Sequence, residues 1–400
     1  MMTRLTDLVL VASKWPPEYG GPGIYYNRNL ARVAALADRL HVIAWNKVTP
    51  PVVDESVTHA PAISMPASSS WLGRRLRGVR LALLLYRLLR TKRHSSGIVF
   101  IGGEISIGWR PVAIAMGALG VPVIVENVLQ GADDGASLLQ ARGRWLTHAA
   151  ARRLRSFCPV SSGLASAVRA SFPQSPAVQL PYGVDLDRYA KPSAQQRATA
   201  RAAIGGPGDG VVAVCFGALH ERKGQLPLVD AWLRWVERGQ RHDSRLFLVG
   251  PPSDADYVAS IKHRLAAATV EAARTVTLAG FCQDTATYLR AADVYLSAAR
   301  AEGLPISIVE ALASGVPVVC RALQGVTDDF LNGQAVAPIA DWSVDAVVDA
   351  LDALSASECH ARASRDARAV AEARFDIAKR LNMIARLLNG SRPPACSAVS

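Results

Sequence analysis

Two glutamates eight positions apart, Glu302 and Glu310, lie in the run Glu302-Gly303-Leu304-Pro305-Ile306-Ser307-Ile308-Val309-Glu310-Ala311-Leu312-Ala313-Ser314-Gly315-Val316-Pro317. Pro305 suits the first turn of a helix. Glu302 then falls in the loop before that helix, and Glu310 about a turn and a half inside it. A carboxylate flanked by apolar residues needs a hydrogen-bonding partner, because burying it bare is costly. The two hydroxyls of a ribose would suit such an acceptor. Glu302 could take hydroxyls of a sugar ring, while free N–H groups near 303–306 face a diphosphate. Two glutamates at a chance spacing is the plain alternative, and the Gly/Pro framing weighs against it.

Two further loops follow apolar runs. Phe216-Gly217-Ala218-Leu219-His220-Glu221-Arg222-Lys223-Gly224 sets adjacent cations at the mouth of a predicted strand. A guanidinium binds a diphosphate bidentately and an ammonium as a point charge; a solvated basic pair is the other reading. Pro16-Pro17-Glu18-Tyr19-Gly20-Gly21-Pro22-Gly23 precedes a predicted helix. Its glycines let backbone N–H groups approach a phosphate or a sugar, or they make an ordinary strand-to-helix turn. Neither loop has Walker spacing or the dinucleotide fingerprint.

These loops need strands to end on and helices to start. Short Val/Ile-rich runs predict strands at 8–12, 41–45, 97–101, 121–125, 156–160 and 177–181, with helices at 24–39, 76–92, 110–119, 137–154 and 162–170. The pattern restarts with strands at 211–216, 245–249, 275–279, 293–297, 316–319 and 334–337. Helices at 225–238, 255–268, 284–291, 305–314 and 343–354 alternate with them. Strands separated by helices imply parallel sheets covered on both faces. Two such sheets make a two-domain α/β protein, which sets the fold class. The expected divisions are 1–188, 189–375, a closing helix 376–389 (the end of a helical pattern from about 360) that packs back on the first domain, and a disordered tail 390–400. Ligands in such sheets bind beyond the carboxyl ends of the strands.

At the Glu302–Glu310 run the sequence resembles the family 4 glycosyltransferases of the GT-B fold, retaining enzymes that use nucleotide-diphosphate sugars; the resemblance implies two Rossmann-like domains whose parallel sheets face an interdomain cleft. Their frame, a Glu, seven residues and a second Glu within EG-x-P…EA-x-A-x-G-x-PVV, is reproduced almost completely by 302–319. The likeness extends along most of the chain. Pro17…Gly20-Gly21 is similar to the family's N-terminal glycine loop, and Val160-Ser161-Ser162 and Leu180-Pro181-Tyr182-Gly183-Val184-Asp185 to its elements before the linker. Arg222-Lys223-Gly224 matches its lysine–glycine loop, Gly280-Phe281 the segment beside the base, and Gly325 and Asn332-Gly333 the elements after the glutamate pair. The resemblance implies that Glu310 holds the donor ribose and that Glu302 contacts the transferred sugar. Lys223 with Arg222 would stabilise the departing diphosphate, with Gly20, Gly21, Gly303, Leu304, Pro305 and Phe281 also binding donor. It further implies that no metal or other cofactor is required, and that the leaving phosphate assists deprotonation of the acceptor.

The chain departs from that pattern twice. Ala218 stands where many relatives have Arg, a role Arg222 can take. Glu126-Asn127-Val128 follows the 121–125 strand where many place a His, which leaves Glu126, Asn127 and Asp133 as acceptor-side candidates. Asp185-Leu186-Asp187 and Asp254-Ala255-Asp256 have the DxD spacing of metal-dependent transferases but read as a linker element and a helix start.

Composition narrows the class. Half of the 400 residues are apolar and a fifth are charged, as in a globular protein. Cys158, Cys215, Cys282, Cys320, Cys359 and Cys396 form no CxxC pair, which favours a reducing cytoplasm over a disulfide framework. No segment reaches the roughly 18 apolar residues of a membrane span. Residues 1–190 carry 22 Lys and Arg against 11 Asp and Glu, and 191–400 carry 23 against 22. Only the first half is basic, most densely at 74–93 and 142–155, so that half is expected to meet an anionic partner. The leading expectation is a bacterial-type enzyme adding a hexose to a saccharide or lipid-linked acceptor on the cytoplasmic face of a membrane. The 74–93 stretch is either an interfacial helix against anionic lipid or an ordinary amphipathic helix. A non-catalytic GT-B protein that binds a nucleotide sugar or a partner enzyme is the alternative. No nucleic-acid partner is expected, since no recognition fold accompanies the charge.

Overall fold

Val- and Ile-rich strands form two parallel sheets with one shared topology. The computed structural model describes residues 4–16, 20–45, 63–64, 71–91, 95–102, 108–140 and 143–390, without the side chains of 64 and 71–75. The first sheet holds β1 (Leu5–Ala12), β2 (Ala37–Ala44), β3 (Ile63–Ser64), β4 (Ser96–Ile101), β5 (Val123–Asn127) and β6 (Ser156–Pro159) in the order β3-β2-β1-β4-β5-β6. The second holds β7 (Val212–Phe216), β8 (Arg245–Val249), β9 (Val276–Gly280), β10 (Val294–Ser297), β11 (Val318–Arg321) and β12 (Val336–Ile339) in the order β12-β11-β10-β7-β8-β9. Both are the doubly wound order. The strand order reverses between β1 and β4 in one sheet and between β7 and β10 in the other, which makes these two places the topological switch points.

The first sheet is accompanied by α1 (Gly21–Arg28), α2 (Leu30–Ala34), α3 (Trp71–Leu89), α4 (Trp109–Ala118), α5 (Gly135–Gln140), α6 (Arg144–Ala151) and α7 (Ser162–Ser171). The second is accompanied by α8 (Ala194–Ala203), α9 (Gln225–Gly239), α10 (Ala255–Ala266), α11 (Val270–Ala273), α12 (Thr285–Ala291), α13 (Ile306–Ala313), α14 (Val344–Ser355) and α15 (Ser357–Arg374); α16 (Ile377–Leu388) ends the described chain. Each sheet buries aliphatic strands under its helices. Val9, Ile98 and Val123 meet Leu81, Leu85 and Trp109 in the first core, and Ala213, Leu246 and Leu296 meet Trp232, Trp235 and Val348 in the second. Among the described residues, no helix is long and apolar enough to cross a membrane.

One unit runs to Pro181 and takes back the chain from Ala378; the other is Tyr182–Ile377. The sequence suggested divisions at 188/189 and 375/376. The backbone N–H of Val184 donates to the carbonyl of Phe375 at 2.7 Å, and that of Ile377 to the carbonyl of Val184 at 3.1 Å. Phe375 N–H still closes the last helical bond, to Ala371 O, but Ile377 N–H is diverted to Val184, so the single helix expected over 360–389 is two, α15 and α16.

Other differences have similar causes. The 24–39 helix ends at Ala34, because Ala37 pairs with Leu5 and its apolar spacing belongs to β2. The 137–154 helix is split into α5 and α6, and Gly143, at φ +85°, caps the second piece in the left-handed region. Residues 177–181 form no named strand, although Val178 N–H donates to Phe157 O and Leu180 N–H to Pro159 O. The polar linker contains α8, which opens with a reciprocal Ser193/Gln196 capping box. The tail from 391 lies outside the described residues.

Candidate functional site

The clearest constellation lies at the switch point of the second sheet. The loop after β7 closes as a 3-10 turn, Glu221–Lys223, and Gly224 then starts α9. Gly224 has φ +69°, and a Cβ there would come within 2.3 Å of the Ala298 carbonyl. Only glycine lets the two loops approach so closely. Across from it, the loop after β10 carries Arg300 and Glu302, and Arg300 N–H donates to the Arg222 carbonyl at 2.8 Å. The side chains then meet. Lys223 Nζ is 2.5 Å from Glu302 Oε1, and Arg222 Nη1 donates to the same oxygen at 3.2 Å and to Ala301 O at 2.7 Å. Glu302 is thus braced by two cations from the facing loop, at the carboxyl ends of the strands where an open sheet receives ligands.

Gly303, Leu304 and Pro305 continue from Glu302 as buried backbone. Pro305 is the residue before α13 and not its first helical position, one place earlier than its type suggested. Glu310, inside α13, is 4% exposed. Its partners come from the protein. Tyr189 Oη donates to Oε1 at 2.8 Å and Thr285 Oγ1 to Oε2 at 3.1 Å. The burial of this carboxylate therefore does not by itself demand a ligand hydroxyl. Tyr189 and Thr285 were missed in the sequence, where a tyrosine four residues after Gly-Val-Asp and a threonine opening a helix carry no signal of a shared target. Phe281 follows Gly280 (φ +73°) after β9 and keeps a 58% exposed ring.

Charge and burial also tune buried groups near this switch point. Burial pushes the Cys215 thiol up to about 12, against the pull of Lys223. Burial likewise lifts the Tyr295 hydroxyl well above its ordinary value; it bonds Ser307 Oγ in α13 at 2.7 Å.

The first unit holds the other expected residues. Gly20 and Gly21 lie where β1 leads into α1, beside that sheet's own switch point; Pro17–Tyr19 of the same loop are outside the described residues. The glycine that the geometry requires is Gly23, whose Cβ would stand 2.1 Å from the Lys14 carbonyl. The acceptor-side candidates are all internal. Glu126 is fully buried, paired with Arg380 of α16 and bonded by the Tyr26 hydroxyl. Burial raises its carboxyl above the ordinary value, although Arg380 and Tyr26 pull it back. Asn127 Nδ2 donates to the Asp133 carbonyl at 2.7 Å, and Asp133 Oδ2 accepts from Val128 N–H at 3.3 Å, so these two brace a loop. Asp134 accepts from Ser137 N–H at 2.9 Å and from Gly131 N–H, again within that loop.

In each DxD segment the first aspartate caps local backbone. Asp185 Oδ1 accepts from the N–H groups of Asp187 and Arg188, and Asp254 accepts from Tyr257 N–H at the start of α10. Of the basic stretches, Arg142 and Lys92-Arg93 lie outside the described residues.

Residues 210–357, which hold Arg222, Lys223, Phe281, Glu302 and Glu310, match the family described as glycosyl transferases group 1. The match falls wholly within the second unit. Along the whole chain, the crystal structure of Anabaena HepE in complex with UDP and glucose superposes with a TM-score of 0.72 at 18% identity, covering 96% of this chain and 99% of that one. With the two doubly wound sheets, that likeness gives the GT-B fold. Among sequences, the chain is 32% identical over 199 residues to a GDP-mannose-dependent alpha-(1-6)-phosphatidylinositol monomannoside mannosyltransferase of Mycolicibacterium smegmatis, over 48% of this chain and 50% of that one. It is 23% identical over 260 residues to the UDP-Gal:alpha-D-GlcNAc-diphosphoundecaprenol alpha-1,3-galactosyltransferase of Escherichia coli, over 62% of this chain and 63% of that one. The chain thus spans about half the length of the first of these relatives and under two thirds of the second. Within the matched residues, the Lys223–Glu302 pair and the buried Glu310 are the groups able to do chemistry.

Proposed function

We propose that this chain is a retaining glycosyltransferase that moves a hexose from a nucleotide-diphosphate sugar to a saccharide or lipid-linked acceptor in bacterial glycoconjugate synthesis. The observation that carries the proposal is the pair of cations, Lys223 and Arg222, held on Glu302 at the switch point of a group 1 domain.

In the reaction, the bond between the sugar's anomeric carbon and the diphosphate oxygen breaks. Its electron pair leaves with the nucleoside diphosphate. Lys223 and Arg222 neutralise the charge that develops there, commonly a large catalytic term. The acceptor oxygen bonds to the anomeric carbon on the same face, and its proton passes to the departing phosphate. Two protein cations at the leaving group do the work that a divalent ion does elsewhere, which supports metal independence. Glu310 accepts from the ribose and Glu302 from the sugar ring, with Gly303, Leu304, Pro305 and Phe281 beside the donor.

Both sequence relatives named above act on lipid-borne acceptors, and the basic first half of this chain suits the same class. Such an acceptor would place the protein at the cytoplasmic face of a membrane, in peripheral contact with anionic lipid.

A thermal-shift screen of UDP, GDP, ADP and their hexose conjugates tests the proposal, since bound donor raises the melting temperature by mass action. A donor that stabilises the protein and is slowly hydrolysed by it, with hydrolysis lost in Lys223→Ala, is the expected result. No stabilisation by any nucleotide sugar would refute it.

A further inference from the structure

Helix α3 decides its own case where the sequence left two readings open. Of the leucines in that stretch, Leu81, Leu85 and Leu89 are fully buried in the first core. The outward face is nevertheless apolar. Leu76, Val79, Leu83 and Tyr86 are 39%, 45%, 55% and 43% exposed. Their spacing of three, four and three residues keeps them on one stripe of a helix. Exposed Arg80, Arg87 and Arg90 stand four residues beyond Leu76, Leu83 and Tyr86, so guanidinium groups border the stripe along its length. The fourth arginine with a described side chain, Arg77, turns inward and covers the Trp45 ring at 5.1 Å.

An ordinary amphipathic helix on an α/β sheet presents a polar outer face with mixed charge. This one presents four large apolar side chains, cations and nothing acidic. The chain has no Asp or Glu at any position between Glu55 and Glu104, so no carboxylate near it in sequence can neutralise the arginines. An apolar stripe bordered by one sign of charge is complementary to a surface that is anionic outside and apolar just beneath. A bilayer containing acidic phospholipid has that layering. A nucleic acid would use the arginines and leave the stripe in water, and a soluble protein partner would need an acidic rim around an apolar groove.

We infer that the outward face of α3 is a membrane-docking surface for anionic lipid, with Leu76, Val79, Leu83 and Tyr86 entering the headgroup–acyl boundary and Arg80, Arg87 and Arg90 engaging lipid phosphates. The inference gives the peripheral contact proposed above a definite surface, and its evidence is independent of the donor chemistry. The arginine stems lie along the stripe while their charged ends reach the phosphate layer, as long basic side chains do at such boundaries.

The test is co-sedimentation of the full chain with vesicles of phosphatidylcholine alone and of phosphatidylcholine mixed with phosphatidylglycerol. Two triple variants are compared, Arg80→Glu/Arg87→Glu/Arg90→Glu and Leu76→Ser/Leu83→Ser/Tyr86→Ser. All six positions are exposed, so both variants are expected to fold, with circular dichroism as the control. Binding is expected only to the phosphatidylglycerol vesicles and to weaken with salt. Neutralising three arginines should lower the partition coefficient by about a hundredfold, and reversing them by more. The serine variant should also lose binding. Equal binding to both vesicle types, binding indifferent to both variants, or no binding at all would overturn the inference. So would concentration-dependent dimerisation in the ultracentrifuge that the serine variant abolishes without any vesicle binding, because a second copy would then cover the stripe. Nucleotide-induced thermal shifts on the same variants keep the two proposals apart, since donor binding belongs to the other unit and should persist.

Discussion

The ammonium of Lys223 lies 2.5 Å from Oε1 of Glu302, with the two side chains 23% and 12% exposed. Partial burial shields this pair from the solvent screening that reduces exposed ion pairs to little. Glu302 therefore fixes where the cation sits before any diphosphate arrives, so little reorganisation is needed when charge develops on a leaving group.

Lys223→Ala should lower kcat/KM for transfer by about 10²- to 10³-fold, as loss of one preorganised charge-stabilising donor does. Lys223→Arg should recover part of that. Glu302→Gln should also slow the reaction, because the ammonium loses its anchor. Initial rates of nucleoside diphosphate release measure all three, and unchanged rates in Lys223→Ala would remove the assigned role.

Tyr189→Phe deletes a hydroxyl that donates to a buried carboxylate without emptying the ring's volume. A hydrogen bond to a charged group contributes about 1.5–3 kcal/mol. If Glu310 must be held in one orientation to receive a ribose, Kd for the ribonucleoside diphosphate rises about tenfold or more. The corresponding 2′,3′-dideoxy nucleotide should bind both proteins alike. Calorimetry with the two ligands separates positioning from general loosening, which would weaken both equally.

The Glu126–Arg380 pair predicts a pH-dependent stability. The raised carboxyl of Glu126 keeps its proton longer in the folded protein than in the unfolded chain. Its contribution is complete below the ordinary carboxylate value, about 4.3, and is lost as pH rises through the folded value. Arg380→Met leaves that charge buried and uncompensated, and should cost about 3–5 kcal/mol near neutrality. The cost should shrink in acid, where a protonated Glu126 needs no counter-charge. Glu126→Gln should be milder and nearly flat with pH. Thermal melts of the three proteins from acid to neutral pH test this, and an equal deficit in Arg380→Met at every pH would count against it.

If, as proposed, Lys223 and Arg222 supply the positive charge at the diphosphate, treatment with EDTA should leave donor hydrolysis and transfer unchanged. Activity lost on chelation and restored by added magnesium would show that the protein cations are insufficient.

What the sequence determined is local in character. The alternation of apolar runs with helical patterns gave two parallel-sheet domains, since a strand buried on both faces is written in consecutive residues. The Glu302–Glu310 frame and the Arg222-Lys223-Gly224 loop were legible for the same reason, spacing along one helix or one turn being fixed by neighbours. Tertiary structure decided the partnerships between distant positions. Tyr189 meets Glu310 from 121 residues away, and Arg380 meets Glu126 from 254. Such pairs exist because of strand order and the return of α16 to the first unit, neither of which periodicity encodes. The same holds within α3. The sequence shows leucines and arginines mixed at helical spacing, but only packing into the first core beside α4 determines that Leu81 and Leu85 go inward while Leu76 and Leu83 stay outside. A face becomes a surface once the opposite face has found its core.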